Sequence, residues 1–389
     1  MIQKMIDKFE NIRPYNDSEA VDAIHKLFGN QAFVQSLSFL KEDFDIPELI
    51  QTALKCKSIL EFQKQFSGQI FKYFIRKSAS GIIYSGLENI DPSKAYLFIA
   101  NHRDIVLDSS SLQNYFFENN LPGSKTAIGD NLMTSPVFVE LARINNMMLV
   151  LRSSSIHDKI ANLNQLSEYI HYSIFEENQS VWIAQRSGRT KNGHDLTQQG
   201  LIKMFTMAQR KKDPLECLRS LQITPVTISY EYESCDQLKA REMALSENGE
   251  YIKKPGEDFK SIVQGVMGFK GEIRLHIGKP ITEKLNCVDR SLNNNDQLYA
   301  VCKLVDEQIY ADYHLFKTNY MAYDIQEQTQ EFVHLYTESD KNMFLQYLNK
   351  QAVIEDVSKE KMMFYLLQIY SNPVRTKYGK PIIDTFNLE

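Results

Sequence analysis

Residues 96–108 read Tyr-Leu-Phe-Ile-Ala-Asn-His-Arg-Asp-Ile-Val-Leu-Asp. The stretch begins as an apolar run and reaches a histidine, His102, after which two aspartates, Asp104 and Asp108, follow at short spacing. This order predicts a buried strand that ends just before the histidine and passes through a short loop into a helix. A strand that leads into a helix is the building unit of an α/β layer fold.

The same rhythm recurs along the chain. Short apolar or β-branched runs indicate further strands at Ile82–Tyr84, Met147–Leu151, Val181–Ile183, Thr224–Ser229 and Ile273–Ile277. Helical patterns separate these runs, and the clearest spans His157–Glu177. The alternation predicts an α/β fold, with a mostly parallel sheet and flanking helices. Ligands of such sheets gather at the carboxyl ends of the strands, where His102, Arg152 and the loop after Ile183 fall.

Both ends of the chain have helical patterns. We therefore predict a helical N-terminal region over 1–80, an α/β domain over 81–288 and a helical C-terminal region over 289–389. Asn16 and Glu19 have the spacing of a helix capping box. The C-terminal helices are expected over Tyr299–Tyr313 and Gln326–Tyr336. The basic segment Lys72–Lys77 closes an apolar helix, which either packs on the core with a solvated end or lies on anionic lipid.

Bulk composition narrows the class of protein. The chain has 389 residues, 43% of them hydrophobic and 24% charged, with a formal net charge of −5, so no nucleic-acid partner is expected. Its five cysteines are scattered, which argues against a disulfide framework and a zinc cluster. Met1–Lys8 has no apolar signal-peptide core, and no run of eighteen apolar residues predicts a membrane span. These features predict a cytoplasmic protein whose contact with membranes is made from its surface.

His102 is a candidate general base. A nearby carboxylate can orient an imidazole and stabilise its charged form while the imidazole takes a proton from an alcohol. Asp104 has the position of an N-cap for a helix running from Ile105 towards Phe117, and that capping role competes with a catalytic one. Asp108 lies one turn into that helix, and we favour it as the orienting carboxylate. The competing interpretation is a strand-end histidine that only bonds to backbone groups.

Basic residues beyond two other strands are candidates for binding an anion. Arg152 directly follows the Met147–Leu151 run, and a guanidinium can contact phosphate or carboxylate through two parallel hydrogen bonds. The loop after Val181–Ile183 offers cations, hydroxyls and backbone amides, with the spacing of neither a Walker loop nor a dinucleotide fingerprint. Its candidate residues are Arg186, Ser187, Gly188, Arg189 and Lys191. A surface salt bridge at Arg152 and a merely solvated basic loop are the alternatives.

Taken in order, several segments resemble the glycerophosphate (PlsC-like) acyltransferase superfamily, most closely its glycerol-3-phosphate acyltransferase branch. The segments are Ile83–Ile90, Asn101–Asp108, Ala127–Leu132, Met148–Ser153, Arg186–Gly193, Thr224–Glu231 and Gly271–Ile281. The resemblance spans roughly residues 81–282. It departs from the family pattern at two places. Five residues separate His102 from Asp108 where the family has four, and Ser187 precedes Gly188 where the family usually has a glutamate.

The resemblance implies an O-acyltransferase of phospholipid synthesis that needs no cofactor and no metal. The acyl donor is expected to be an acyl-CoA or an acyl carrier protein, and the acceptor glycerol-3-phosphate or lysophosphatidate. His102, with Asp108 or Asp104, is then the catalytic pair, and the basic residues hold the acceptor. A peripheral location on the inner face of the cell membrane follows from such lipid substrates.

Three other functions remain open at this point. The first is acyl transfer to a lyso-aminolipid that carries a carboxylate. The second is a non-catalytic protein that binds acyl groups or lipids on the same scaffold. The third is a metal-dependent hydrolase that uses His102, Asp104 and Asp108, although no second histidine lies within reach in the sequence.

Overall fold

The structure is a computed structural model that describes residues 7–247, 249 and 251–383. Both predicted helical end regions extend beyond it, at 1–6 and 384–389, so most of the Met1–Lys8 segment lies outside the described residues. No helix in the described ranges has the length and apolar character needed to cross a membrane.

A seven-stranded sheet forms the centre of the protein. Its strands are β1 (Ala79–Ser85), β2 (Leu97–Ala100), β3 (Lys125–Gly129), β4 (Met147–Val150), β5 (Val181–Ala184), β6 (Ile223–Tyr230) and β7 (Gly271–Ile277). They lie in the order β1-β7-β6-β2-β5-β3-β4. Only the β6–β7 pair is antiparallel, so the sheet is mostly parallel, as predicted. The six strands expected from the sequence are all present, and β3 is one that the apolar pattern alone did not predict.

Helices cover both faces of the sheet. Those between β1 and β7 in the chain are α6 (Leu107–Glu118), α7 (Pro136–Ile144), α8 (Ile156–Phe175), α9 (Gln199–Thr206), α10 (Pro214–Ser220), α11 (Asp236–Ser246) and α12 (Glu257–Met267). Five helices of the N-terminal region come before them, α1 (Asp17–Gly29), α2 (Gln31–Ser36), α3 (Ile46–Lys55), α4 (Ile59–Phe62) and α5 (Gly68–Ser78). A π-helical turn over Gln63–Ser67 joins α4 to α5.

Side chains of the central strands alternate between two hydrophobic layers. In β2, Leu97 and Ile99 pack into the layer that contains α8, α9 and α10, while Phe98 and Ala100 pack into the layer under α5, α6 and α12. A strand buried on both faces has no polar alternation, which explains the continuous apolar run in the sequence.

The N-terminal helices form their own apolar cluster against α7. The capping box at the start of α1 is confirmed, since Asn16 Oδ1 accepts from the Glu19 amide at 2.9 Å and Glu19 accepts from the Asn16 amide at 2.8 Å. The basic end of α5 is not free, because Lys77 pairs with Asp43 at 2.9 Å. The apolar side of α5 is buried at Phe71 and Ile75, which favours a helix packed on the core.

The C-terminal helices are α13 (Asn294–Asp312), α14 (Lys317–Glu327), α15 (Glu338–Gln351) and α16 (Lys359–Lys377). The first of these packs into the same apolar layer as α8, while the last three form a cluster with α11. The predicted helix over Gln326–Tyr336 is wrong. Instead, α14 ends where Gln328 takes a left-handed conformation with φ of 54°, which a continuing helix does not allow. The domain boundary at 289 stays a prediction.

Candidate active site

His102 lies two residues beyond β2, at the carboxyl edge of the sheet. Its Nδ1 is 2.9 Å from Oδ2 of Asp108, which is the second residue of α6. An ionised carboxylate only accepts hydrogen bonds, so Nδ1 donates and Nε2 is left with a free lone pair. The His102 side chain is 14% exposed, whereas that of Asp108 is 1% exposed. A substrate can therefore reach the imidazole while the carboxylate stays shielded from water.

Asp108 is held by three further hydrogen bonds. Its Oδ2 accepts from the backbone amides of Arg103 at 2.7 Å and Asp104 at 2.9 Å, and its Oδ1 accepts from the Tyr230 hydroxyl at 2.9 Å. Together with His102 these donors engage both carboxylate oxygens, which prevents the group from rotating away. Burial raises the pKa of Tyr230, and the Asp108 charge raises it further, so this tyrosine stays a donor at neutral pH.

Asp104 serves the start of the helix. Its Oδ1 accepts from the amides of Val106 at 2.9 Å and Leu107 at 2.8 Å. The helix begins at Leu107, so the prediction that it begins at Ile105 is wrong by two residues, and Val106 occupies the N-cap position. The extra residue between His102 and Asp108 is taken up in this non-helical loop. Burial and the neighbouring Asp108 raise the pKa of the Asp104 carboxyl.

Two residues that flank His102 anchor the loop, and the sequence did not indicate them. The Asn101 amide bonds to both the N–H and the C=O of Ile228 on β6, at 2.8 and 3.0 Å. The buried Arg103 guanidinium donates to Asp195 at 2.6 Å, to Glu233 at 2.9 Å and to the Gly193 carbonyl at 3.1 Å. These bonds join three elements that are distant in sequence, so His102 is positioned by the tertiary structure.

The buried charges around Arg103 are balanced. Lys239 forms a second ion pair with Glu233, so that two cations, Arg103 and Lys239, face two carboxylates, Asp195 and Glu233. All four side chains are at most 5% exposed. Because buried charges are costly unless each is paired, removing any one of them leaves an uncompensated charge in the core.

The basic loop after β5 is bound to the histidine segment. The amide of Thr190 donates to the carbonyl of His102 at 2.8 Å, which brings the neighbouring Arg189 to the same edge of the sheet. Arg189 is buried, and its Nη1 has no hydrogen-bond partner among the described residues. Burial acts to lower the pKa of this guanidinium, while Cys235 and Asp104 raise it and prevail.

The other predicted anion-binding residues of this loop differ in their surroundings. Lys191 pairs with Glu242 of α11 at 2.6 Å. Ser187 is exposed and its amide donates to Gln198, whereas Arg186 is half-buried, and Gly188 turns the loop with φ of 75°. Within the described part of the chain, no hydrogen bond or ion pair joins these residues to the His102 side chain.

Arg152 follows β4, which is three strands away from β2 in the sheet. At the usual spacing between strands, this places its backbone about 14 Å from the end of β2. Its side chain turns inwards, because a Cβ on Gly129 would lie 3.4 Å from Nη2 of Arg152. The side chain thus lies over the end of β3, nearer to the centre of the sheet than its own backbone.

Gly265 of α12 packs directly against the loop. A Cβ at this position would lie 2.2 Å from Oδ2 of Asp104, a buried atom with little room to move. We expect Gly265→Ala to destabilise the protein by about 1–3 kcal/mol, the usual result of overpacking, and to reduce turnover at His102 by displacing its loop. Urea denaturation and the turnover rate measure the two effects.

Gly200 of α9 offers a matched control, because a Cβ there meets nothing within 4 Å. Gly200→Ala should leave turnover unchanged and leave stability equal or slightly higher, since alanine favours helix. If Gly265→Ala were as stable and as active as Gly200→Ala, the close packing of α12 on Asp104 would be contradicted.

Comparison with known proteins found one family model and a similar solved structure. Residues 81–231 match the family model described as Acyltransferase. Among curated proteins, none matches the chain at a significant level. One solved structure to which the chain is similar is the 1-acyl-sn-glycerophosphate (LPA) acyltransferase PlsC from Thermotoga maritima. It is 15% identical, with a TM-score of 0.37, over 77% of this chain and 98% of that one. Residues 81–231 therefore form an acyltransferase domain, which identifies the protein as an acyltransferase.

Proposed function

We propose that the protein moves a fatty acyl group from the thioester of an acyl-CoA or acyl carrier protein to the hydroxyl of glycerol-3-phosphate or lysophosphatidate. The observation that carries this proposal is the hydrogen bond of 2.9 Å between His102 Nδ1 and Asp108 Oδ2 at an accessible strand end. The proposed location is the inner face of the cell membrane, where both kinds of substrate meet.

The reaction needs one base and no covalent enzyme intermediate. Nε2 of His102 takes the proton of the acceptor hydroxyl as its oxygen attacks the thioester carbonyl carbon. The carbon–sulfur bond then breaks, and the imidazolium returns the proton to the leaving sulfur, which yields the ester and a free thiol. Asp108 stabilises the imidazolium between the two proton transfers, because its charge lies on the Nδ1 side.

The acceptor's anionic group has a candidate partner in Arg189. This side chain is buried beside the loop of His102, and its Nη1 lacks a partner among the described residues. An unpaired buried donor is costly, so a ligand oxygen that completes it would bind favourably. Lys191, Arg186 and Arg152 are proposed to attract the acceptor's anionic group through their positive charge. Ser187 and Gly188 shape the loop.

Acyl transfer by the purified protein tests the proposal. One long-chain acyl-CoA and one acyl carrier protein thioester are each combined with glycerol-3-phosphate, lysophosphatidate or a lyso-aminolipid. We expect turnover with a phosphate-bearing acceptor. If product formed only with the lyso-aminolipid, the acceptor would be one that carries a carboxylate. If the protein bound the thioester but formed no product with any acceptor, acyl transfer would be contradicted.

Lys191 predicts a pH dependence of acceptor binding. Burial, followed by the charge of Arg189, lowers the pKa of Lys191 to about 8, although Glu242 opposes the change. The ammonium is charged below this pH and loses its proton above it, so attraction to an anionic acceptor weakens as the pH rises. If the charge is required, the acceptor KM should increase about fivefold between pH 8 and pH 9.

Lys191→Arg is the matched variant, because a guanidinium stays charged throughout this range. Its acceptor KM should stay flat from pH 8 to pH 9 while kcat follows the wild-type profile. An equal rise of KM in both proteins would show that Lys191 does not hold the acceptor.

A further inference from the structure

Helix α12 has an apolar stripe on its outer side as well as a buried inner side. Phe259, Val263 and Met267 recur every fourth residue and are 58%, 43% and 46% exposed. Residues four apart lie on one face of a helix, so these three form a single stripe. The opposite side of the helix is buried at Ser261 and Gly265. A helix that packs on a core normally directs polar residues outwards, so this outer stripe requires an explanation.

Two further exposed apolar residues flank the helix in the sequence. Ile252 precedes it and is 83% exposed, while Phe269 follows it and is 55% exposed. Together with Phe259, Val263 and Met267, these residues are called the α12 outer face. Single exposed apolar residues are common on proteins, whereas five within eighteen residues form a patch of the kind that binds a partner.

Positive charge borders the α12 outer face. Lys254 and Lys260 are exposed and form no salt bridge within the described ranges, and Arg76 of the neighbouring α5 is likewise exposed. The two acids of the first turn are engaged elsewhere. Glu257 accepts from the Tyr251 hydroxyl at 2.6 Å, and Asp258 pairs with Lys253 at 2.7 Å. Glu257 also lies 3.8 Å from Arg241, so the charged residues named here that form no salt bridge within the described ranges are all cations.

The α12 outer face also lies close to the candidate active site. The inner side of the same helix touches the loop of His102, since Gly265 leaves no room for a methyl group against Asp104. The outer face is thus separated from that loop by the thickness of one helix, about 10 Å.

We propose that the α12 outer face docks on an anionic phospholipid bilayer, with its aromatic and aliphatic side chains in the acyl–headgroup boundary and its lysines on the headgroups. Apolar burial and attraction to anionic lipid together provide the binding energy of such interfacial helices. The exposed lysines beside the apolar stripe suit an anionic bilayer better than a protein segment. The inference rests on the proposed function, because a lipid acceptor must be drawn from a membrane.

The structure places this surface on a different helix from the basic segment Lys72–Lys77. On α5 the apolar residues Phe71 and Ile75 are buried, and Lys77 is paired with Asp43. The helix therefore has no free apolar stripe to offer to lipid, whereas α12 has one.

Vesicle sedimentation with the full chain tests the proposal. Vesicles of mixed phosphatidylglycerol and phosphatidylcholine should bind the wild-type protein, and vesicles of phosphatidylcholine alone should bind it more weakly. The triple variant Phe259→Ser, Val263→Ser, Met267→Ser should lose affinity for the anionic vesicles by at least about tenfold, because three apolar side chains no longer enter the interface. Its thermal unfolding should match wild type, since all three residues are exposed.

The matched control replaces three exposed apolar residues of α8, namely Ile156, Ile160 and Phe175, by serine. This helix lines a cleft with Arg210, Lys211 and Lys212, and it is therefore the rival basic and apolar surface. The control should bind vesicles as wild type does. An equal loss in the control, undiminished binding by the α12 variant, or no binding by wild type would each overturn the proposal.

Turnover on water-soluble substrates separates this inference from the proposed function. With a short-chain acyl-CoA and glycerol-3-phosphate in the absence of vesicles, the α12 triple variant should be as active as wild type. If the wild-type protein failed to bind vesicles but still turned over the soluble substrates, only the proposed docking surface would be wrong. Binding with no turnover by any form of the protein would instead contradict the acyltransferase proposal and leave the surface standing.

Discussion

The His102→Ala protein is expected to fold normally and to lose about 10³-fold or more of its acyl-transfer rate. A positioned general base contributes about 10²–10⁴-fold to a reaction, and here one imidazole serves both proton transfers. A factor of 10³ corresponds to about 4 kcal/mol of activation free energy. Among the described residues the His102 side chain forms one hydrogen bond, to Asp108, so its removal should cost little stability. Initial rates at saturating substrate, with a thermal melt of each protein, measure both quantities.

Asp108→Asn should reduce kcat by a comparable factor. An amide nitrogen that faces His102 Nδ1 favours the wrong tautomer, and the variant also loses the charge that stabilises the imidazolium. Tyr230→Phe should have a smaller effect, because it removes one of the four hydrogen bonds that hold the carboxylate. A kcat for Asp108→Asn close to that of wild type would contradict its orienting role.

The chain offers a matched control for both substitutions. His157 and Asp158 form an exposed histidine–aspartate pair, with 3.5 Å between Nδ1 and Oδ1. His157→Ala should leave turnover unchanged, because that pair lies on the surface of α8. If His102→Ala and His157→Ala were equally active, the proposed base would be wrong.

The second large effect is expected at Arg103. Arg103→Leu should destabilise the protein by about 3–5 kcal/mol, because it leaves Asp195 and Glu233 buried with a single cation, Lys239, between them. The substitution also removes the donor to the Gly193 carbonyl. Urea denaturation followed by far-ultraviolet circular dichroism measures the loss. A variant that does not accumulate as soluble protein would agree with the upper part of this range.

Arg290→Leu is the control for Arg103. Its guanidinium also contacts two carboxylates, Glu216 at 2.8 Å and Asp213 at 3.4 Å, but its side chain is 55% exposed. Exposed pairs contribute about 0–1 kcal/mol, so this variant should unfold close to wild type. Similar losses at both arginines would show that burial does not amplify the pairing at Arg103.

Arg103 also tests how the base is positioned. Arg103→Lys keeps one charge but cannot reach Asp195, Glu233 and the Gly193 carbonyl together, because a lysine is a single point donor. We expect this milder variant to fold and to show a lower kcat with an unchanged acceptor KM. A raised KM with unchanged kcat would instead indicate a role in binding the acceptor.

The sequence alone determined the architecture and the place of the chemistry. Apolar runs of the right length predicted six of the seven strands, because strands buried on both faces leave a continuous local pattern. The rule that ligands gather at the carboxyl ends of strands then selected His102 and the loop after β5. Asp108 could be favoured over Asp104 only by its position one turn into the expected helix.

Only the tertiary structure decided how the site is held together. Tyr230 reaches Asp108 across 122 residues of sequence, and Arg103 reaches Glu233 across 130. Such contacts leave no periodic signal, because each joins single side chains on different elements. The start of α6 at Leu107 was likewise set by the Asp104 and Asp108 hydrogen bonds rather than by helix propensity. The outer stripe of α12 became visible only when its other side was seen to be buried against the sheet, since an apolar residue in a sequence does not reveal which side of a helix is covered.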